Sequence, residues 1–270
     1  MVVTGASMGI GDAIAKAFCE DGANVVLCSR ELQRAEEARQ KVGSPERTMA
    51  VACDVRERAQ IDALVKKTLE RFGKLDIFVN NAGHGMLDGV ATMDVAKCRA
   101  MFDTNLFGAI ECMQAVIPVM KLQLSGCIIN ISSVAGHIPV PFMSAYSATK
   151  HALNAISKSA RVELKPFGIH VLTVCPGFIR TDFSIHAVKG NDVRRFSGAL
   201  RRGITAERCA KAVLNAYLGG KREIMVPASD WLKVKAYQLL PKLIESVMER
   251  SIQPITPESI SAEETARKKA

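Results

Sequence analysis

Tyr146 and Lys150 stand four residues apart in Ser144-Ala145-Tyr146-Ser147-Ala148-Thr149-Lys150, a spacing that projects a phenol and an ammonium from one face of a helix. A free tyrosine keeps its proton up to a pKa near ~10, and a neighbouring ammonium favours the phenolate and brings proton exchange toward neutral pH. Such a pair arises by chance too readily to carry a function alone. Ser133 closes an apolar run thirteen residues earlier, and Asn105 interrupts the apolar neighbours Leu106, Phe107 and Ala109. Singly, Ser133 reads as a turn residue and Asn105 as a satisfied core amide. Jointly, phenol, ammonium, hydroxyl and amide make a set able to move a proton to or from an oxygen.

A second group of residues suits a phosphate-bearing ligand. Thr4-Gly5-Ala6-Ser7-Met8-Gly9-Ile10-Gly11 follows a short apolar run and opens the amphipathic stretch Asp12 to Glu20. Gly5 permits a tight turn, Gly9 a close backbone approach and Gly11 close helix packing, while the helix N-terminus offers free N–H groups to a pyrophosphate. Gly5, Gly9 and Gly11 are separated by four and two positions, unlike the six-residue dinucleotide fingerprint. The next run ends at Ser29-Arg30, where an NAD-binding fold places a carboxylate for the ribose 2′-OH. Hydroxyl and guanidinium pair instead with a 2′-phosphate, so NADP(H) is favoured, with Glu31 counting against it. Asp54 and Val55 are candidates to hold the adenine, Asp54 alternatively capping a helix. Asn80-Asn81-Ala82-Gly83 and Pro176-Gly177-Phe178-Ile179-Arg180-Thr181 follow two further runs, at the strand ends where an open α/β sheet binds its ligand.

The elements that position these groups follow from periodicity. Apolar runs at Val2–Thr4, Asn24–Cys28, Thr48–Cys53, Leu75–Val79, Cys127–Ile131, His170–Val174 and Glu223–Val226 alternate with helical stretches at about 10–21, 31–42, 56–72, 95–122, 145–165 and 205–219. This is the pattern of βαβ units in a parallel sheet. Residues 1–227 are read as one domain. Residues 228–270 form an amphipathic extension with Trp231, Leu232, Tyr237, Leu239, Leu240, Leu243, Ile244 and Val247 on its stripe, a kink at Pro241 and a polar tail.

Composition bounds the function classes. The 270 residues are 48% hydrophobic and carry a net charge of +9, with a pI near 9.2. Aromatics at 5% give no stacking platform, so nucleic-acid binding is not expected. The eight cysteines never lie closer than nine positions, and no close His/Cys pair occurs, so reduced thiols, a cytoplasmic setting and no metal are expected. No apolar run reaches bilayer length and no secretory signal is apparent. Basic residues concentrate between Phe178 and Lys211, Arg194, Arg195, Arg201 and Arg202 among them. Together with the extension, that segment allows peripheral contact with an anionic membrane.

These ordered motifs resemble the short-chain dehydrogenase/reductase family over about residues 1–227. The resemblance implies an α/β fold, a Rossmann-type doubly wound parallel sheet of about seven strands with helices on both faces, here followed by the C-terminal helical extension. By position it makes Tyr146 the acid/base, Lys150 the holder of the nicotinamide ribose and the group that lowers the tyrosine pKa, Ser133 the group orienting the substrate carbonyl, and Asn105 the holder of a water in a proton relay. Gly5, Ser7, Ile10 and Gly11 then form the cofactor turn, Asn81, Ala82 and Gly83 the adenosine side, and Pro176, Gly177, Ile179 and Thr181 the nicotinamide side. A homodimer or homotetramer through helices 95–122 and 145–165 is implied. Only three residues precede Thr4, fewer than is usual in the family, which fits a first strand clipped at its start.

The expected activity is NADP(H)-dependent interconversion of an alcohol and a carbonyl by hydride transfer, running as reduction. An apolar substrate is expected between the segments His84–Met86, Ala135–Met143 and Phe178–Arg202, with Ile138, Val140, Phe142, Met143, Phe178, Phe183 and Phe196 on its walls. The alternative is an NADP(H)-binding sensor without turnover, which has no need of the four-residue proton set.

Overall fold

The computed structural model describes residues 1–184, 187–190 and 203–250. Seven parallel strands form its sheet: β1 (Val2–Thr4), β2 (Val25–Ser29), β3 (Thr48–Ala52), β4 (Ile77–Asn80), β6 (Gly126–Ile131), β7 (Ile169–Pro176) and β11 (Glu223–Val226). They run in the order β3-β2-β1-β4-β6-β7-β11, which reverses direction at β1 and β4 and opens a crevice at the strand carboxyl ends. Two short pairs lie beyond the sheet, β5 (Met86–Leu87) with β9 (Val188–Lys189) and β8 (Ile179–Arg180) with β10 (Ile204–Thr205). No alternating pattern announces strands of two residues.

Strand side chains alternate between two cores. Val3, Leu27, Val79 and Ile129 pack under α1 (Gly9–Glu20), α2 (Leu32–Val42) and α7 (Ala206–Leu218). Val2, Val26, Phe78 and Ile128 face α3 (Arg58–Phe72), α5 (Gly108–Gln123) and α6 (Ser144–Leu164). Helices on both faces explain why the strands read as continuous apolar runs. Truncating the fully buried Phe78 to alanine would cost about 3–5 kcal/mol, enough to unseat the switch point itself.

The stretch 95–122 is not one regular helix. α4 (Val95–Phe102) gives way to a π turn at Asp103–Phe107 before α5 begins. The cause lies in Asn105, whose Nδ2 donates to the His84 carbonyl at 2.8 Å while its Oδ1 accepts from the His84 N–H at 3.0 Å. Gly108 closes the irregularity, since a Cβ there would sit 2.8 Å from Val55 Cγ2.

Beyond β11 the chain forms α8 (Asp230–Leu239) and α9 (Pro241–Arg250). The expected kink at Pro241 is a break: Leu240 leaves the helix at φ −132° and ψ 57°, as the residue before a proline is pressed to do. Val234 packs on Ile138, Cys175 and Met225, whereas Trp231, Leu239, Leu243 and Val247 are exposed. No helix among the described residues is long and apolar enough to cross a membrane. Phe196, the basic cluster Arg194 to Arg202 and the tail Pro254 to Ala270 lie outside the described residues.

Candidate active site

Helix α6 carries Tyr146 and Lys150 on its buried face, at the carboxyl ends of β6 and β7. The Lys150 ammonium donates to the Ile131 carbonyl at 2.9 Å and lies 5.7 Å from the centre of the Tyr146 ring. Ser133 caps a single 3-10 turn, Val134–Gly136, by accepting the Ala135 N–H at 3.0 Å, and its hydroxyl donates to the Pro176 carbonyl at 3.3 Å. The turn can press on α6 because Gly136 lacks a Cβ, which would fall 2.8 Å from the Lys150 carbonyl oxygen. Asn105 reaches the same helix through Thr149: its Nδ2 donates to Thr149 Oγ1 at 3.4 Å, and that hydroxyl donates to the Tyr146 carbonyl at 2.7 Å. Ser133 and Lys150 therefore stand beside the Tyr146 side chain, and Asn105 is joined to the backbone of the same residue through Thr149. Thr149 and the backbone of His84 belong to the network and were not singled out, because their roles depend on the π turn.

Burial governs the ionisation of this pair. Desolvation pushes the Tyr146 phenol up to about 12 against a smaller opposite pull from its hydrogen bond with Ser133. It brings the Lys150 ammonium down to about 8. Burial of the phenol thus opposes the lowering expected from the adjacent ammonium. The Phe183 ring meets the Tyr146 ring at a tilt of 59° with centroids 5.6 Å apart, and Met86, Met101, Ala135 and Ala145 form an apolar cluster around Tyr146 with Val140 and Met143 at its edge.

The glycine turn fits a dinucleotide. Gly5 and Gly9 hold φ of +62° and +65°, a region costly for other residues. A Cβ on Gly5 would lie 2.9 Å from the Ala82 backbone, and one on Gly11 only 2.4 Å from Asn81 Nδ2, so both are needed to seat the turn on the loop after β4. Asn81 Nδ2 fastens that seat by donating to the carbonyls of Thr4 and Gly5 at 2.9 and 3.0 Å, and Thr4 Oγ1 accepts from the N–H groups of Asn81 and Ala82. Gly9 is different, since its missing Cβ would touch only Thr181, at 3.5 Å across the crevice. No side chain caps α1, which leaves its first N–H groups to an anion beside Ser7 and Ile10.

Ser29 is buried at the end of β2, while Arg30 is exposed and has no side-chain hydrogen bond or ion pair among the described residues. Glu31 pairs with Arg34 at 3.1 Å, so the neighbouring carboxylate is already partnered. The half-buried His84 has its pKa lowered, first by burial and then by Arg30, Arg56 and Lys150, which records the positive field over the crevice. Asp54 accepts the Arg56 N–H at 3.0 Å and pairs with the Arg56 guanidinium, which holds its carboxyl below the usual range. It braces the loop; the residue that precedes α3 as its cap is Glu57. Val55 is buried, its side chain and carbonyl oxygen both packed against Gly108. On the opposite side Gly177 gives way to Asp230, whose Oδ2 would stand 2.0 Å from an added Cβ. Ile179 is buried beside it.

Comparison with known proteins gives the same outline. The family model described as short chain dehydrogenase matches residues 1–192. An uncharacterized oxidoreductase of Staphylococcus epidermidis is 36% identical over 215 residues, covering 80% of this chain and 89% of the relative. Dehydrogenase/reductase SDR family member 7B of Xenopus laevis is 33% identical over 260 residues, covering 92% of this chain and 80% of the relative. Among solved structures, a short-chain dehydrogenase from Streptomyces avermitilis superposes with a TM-score of 0.80 at 30% identity, over 90% of this chain and 94% of the other.

Proposed function

The chain belongs to the short-chain dehydrogenase/reductase family, and on that premise we propose that it is an NADP(H)-dependent reductase of an apolar carbonyl compound. The observation that carries the reading is the placing of Ser133 and Lys150 beside the buried Tyr146 phenol, with Asn105 tied to the same helix through Thr149. A bound nicotinamide would supply the hydride. Tyr146 gives its proton to the carbonyl oxygen as that oxygen gains charge, and the Ser133 hydroxyl polarises the same oxygen. Lys150 would hold the ribose of the bound cofactor and would offset the charge left on the phenol. Asn105 secures the π turn and the water that refills the phenol.

The exposed guanidinium of Arg30, next to Ser29 and without an ion pair among the described residues, supports a 2′-phosphate and hence NADP(H). Gly5, Ser7, Ile10 and Gly11 would hold the pyrophosphate. Asn81, Ala82 and Gly83 with the Asp54–Val55 loop would line the adenosine side, and Pro176, Gly177, Ile179 and Thr181 the nicotinamide side. The apolar cluster around Tyr146 and Phe183 favours an apolar substrate. A homo-oligomer, with α8 and α9 at a partner subunit or an anionic membrane surface, accounts for their exposed apolar flank. Turnover of NADPH across ketones, aldehydes and 3-oxoacyl compounds tests the proposal. Binding of NADPH with no turnover on any of them would leave the sensor reading in its place.

A further inference from the structure

We propose that His137, Cys175 and Glu223 form a zinc-binding site behind the proton set. The three come from different elements: His137 follows the Ser133 turn, Cys175 sits next to the end of β7, and Glu223 opens β11. His137 Nε2 lies 3.5 Å from Cys175 Sγ and 3.2 Å from Glu223 Oε1, and the ligand atoms of all three lie within 4.8 Å of one another. One ring nitrogen stands in both short contacts, yet a neutral imidazole has a single N–H there and serves one acceptor well. Three electron-pair donors thus lie within reach of one ion, with the imidazole nitrogen between the sulfur and the carboxylate.

Metal coordination explains the spacing. An ion held tetrahedrally at ~2.3 Å from sulfur and ~2.0–2.1 Å from nitrogen and oxygen places sulfur and nitrogen about 3.5 Å apart and nitrogen and oxygen about 3.3 Å apart. The two short separations match, and the sulfur-to-oxygen edge, within 4.8 Å, closes to about 3.5 Å when the partly exposed Glu223 carboxylate turns onto the ion. Thiolate with imidazole and carboxylate selects zinc over calcium or magnesium, which take oxygen ligands. Cys175 is fully buried, and the partly exposed Glu223 side chain gives the ion its way in. Thiolate and carboxylate together neutralise the dication, and Lys158, 4.0 Å from Glu223, is solvent-exposed enough to turn away. When zinc binds, the Cys175 S–H proton leaves to solvent, a Zn–S bond forms, and water fills the fourth position; no redox change is involved.

Such a site would pin the Ser133 turn to β7 one residue from Pro176, the acceptor of the Ser133 hydroxyl. No local Cys/His spacing announces this trio, and for that reason no metal is expected from the sequence. These ligands lie 38 and 48 positions apart in the chain and meet through parallel pairing of β7 with β11, where Glu223 aligns with Thr173.

The test uses untagged full-length protein stripped of metal, titrated with zinc and with cobalt as a spectroscopic replacement. Wild type is expected to retain one equivalent of zinc through gel filtration and to show a thiolate-to-cobalt charge-transfer band. Loss of an outer-shell partner weakens metal sites by about 10–100-fold, so Cys175→Ser, which removes a ligand, should weaken binding by more than ~100-fold and abolish the band. Cys98→Ser, at a thiol outside the trio, should change neither. Should Cys175→Ser fail to fold, Glu223→Gln keeps the shape and must still weaken zinc binding. Wild type that retains no stoichiometric zinc, or equal binding by wild type and the ligand variants, overturns the proposal. Because the readout is metal and not turnover, it stands or falls separately from the assigned activity.

Discussion

Lys150→Met removes the buried charge while keeping the length of the stem, and stability and activity should respond in opposite directions. Burial brings the Lys150 pKa from 10.5 down to about 8, which corresponds to about 3 kcal/mol against the charged folded state. Below pH 8 the lysine is charged in folded and unfolded chains alike, and the folded chain carries the full cost. Between pH 8 and 10.5 the unfolded lysine still binds its proton while the folded one has lost it, so stability rises with pH. From pH 7 to pH 10 this group should add about 2.5 kcal/mol to the wild type and nothing to the variant. Tyr146, Cys112, Cys127, Cys175 and Cys209 have raised pKa values, which lower the stability of both proteins toward alkaline pH. The difference between the two proteins is therefore the quantity to read. Urea unfolding at fixed protein concentration, without nucleotide, should find Lys150→Met ahead at neutral pH, with its lead shrinking by about 2.5 kcal/mol by pH 10. Its turnover should be lost. Parallel stability curves across that pH range would refute the reasoning.

Four other perturbations probe the remaining parts. Tyr146→Phe keeps the ring against Phe183 and removes the proton donor, so kcat should fall by about 10²–10⁴-fold with NADPH affinity little changed in a fluorescence titration. Arg30→Asp should move the NADPH-to-NADH preference by about 10–100-fold toward NADH, read as the ratio of kcat/KM values; an unchanged ratio removes Arg30 from cofactor selection. Gly11→Ala puts a methyl 2.6 Å from the Gly5 carbonyl oxygen, and thermal unfolding should register a loss of about 1–3 kcal/mol despite the better helix propensity of alanine. Anionic liposomes should co-sediment the full-length chain at low salt and release it at high salt, whereas no sedimentation assigns the exposed flank of α8 and α9 to a partner subunit.

What was legible in the sequence follows the range of the interactions that encode it. The seven sheet strands were readable because each is buried on both faces and so is apolar throughout, as in Val25–Ser29. β5, β8, β9 and β10 were not, since two residues carry no period and their pairing partners come from distant loops. Tyr146 and Lys150 share a helix face, so their spacing is local and visible. Asn105 stood out as a polar residue in an apolar stretch, but the π turn that aims it depends on His84, 21 positions away. Asp54 is visible as a carboxylate after a strand, but its pairing with Arg56 two residues on depends on the turn of the loop.

The proton chemistry depends on burial in a way that residue types cannot report. Side by side in water, a phenol near ~10 and an ammonium near ~10.4 titrate together. Inside this fold the phenol rises to about 12 and the ammonium falls to about 8, because desolvation disfavours the charged form of each. The free chain consequently stores a proton on Tyr146 across the neutral range and holds a lysine whose charge is easily changed. A phenol that keeps its proton at neutral pH can donate as it stands, whereas accepting a proton requires the phenolate, which burial disfavours. Oxidation would need the phenolate first, so its rate should climb with pH through a range where reduction only declines. Measured in both directions on one substrate pair, the two profiles should cross; if oxidation is as fast as reduction at pH 7, the stored proton does not set the direction.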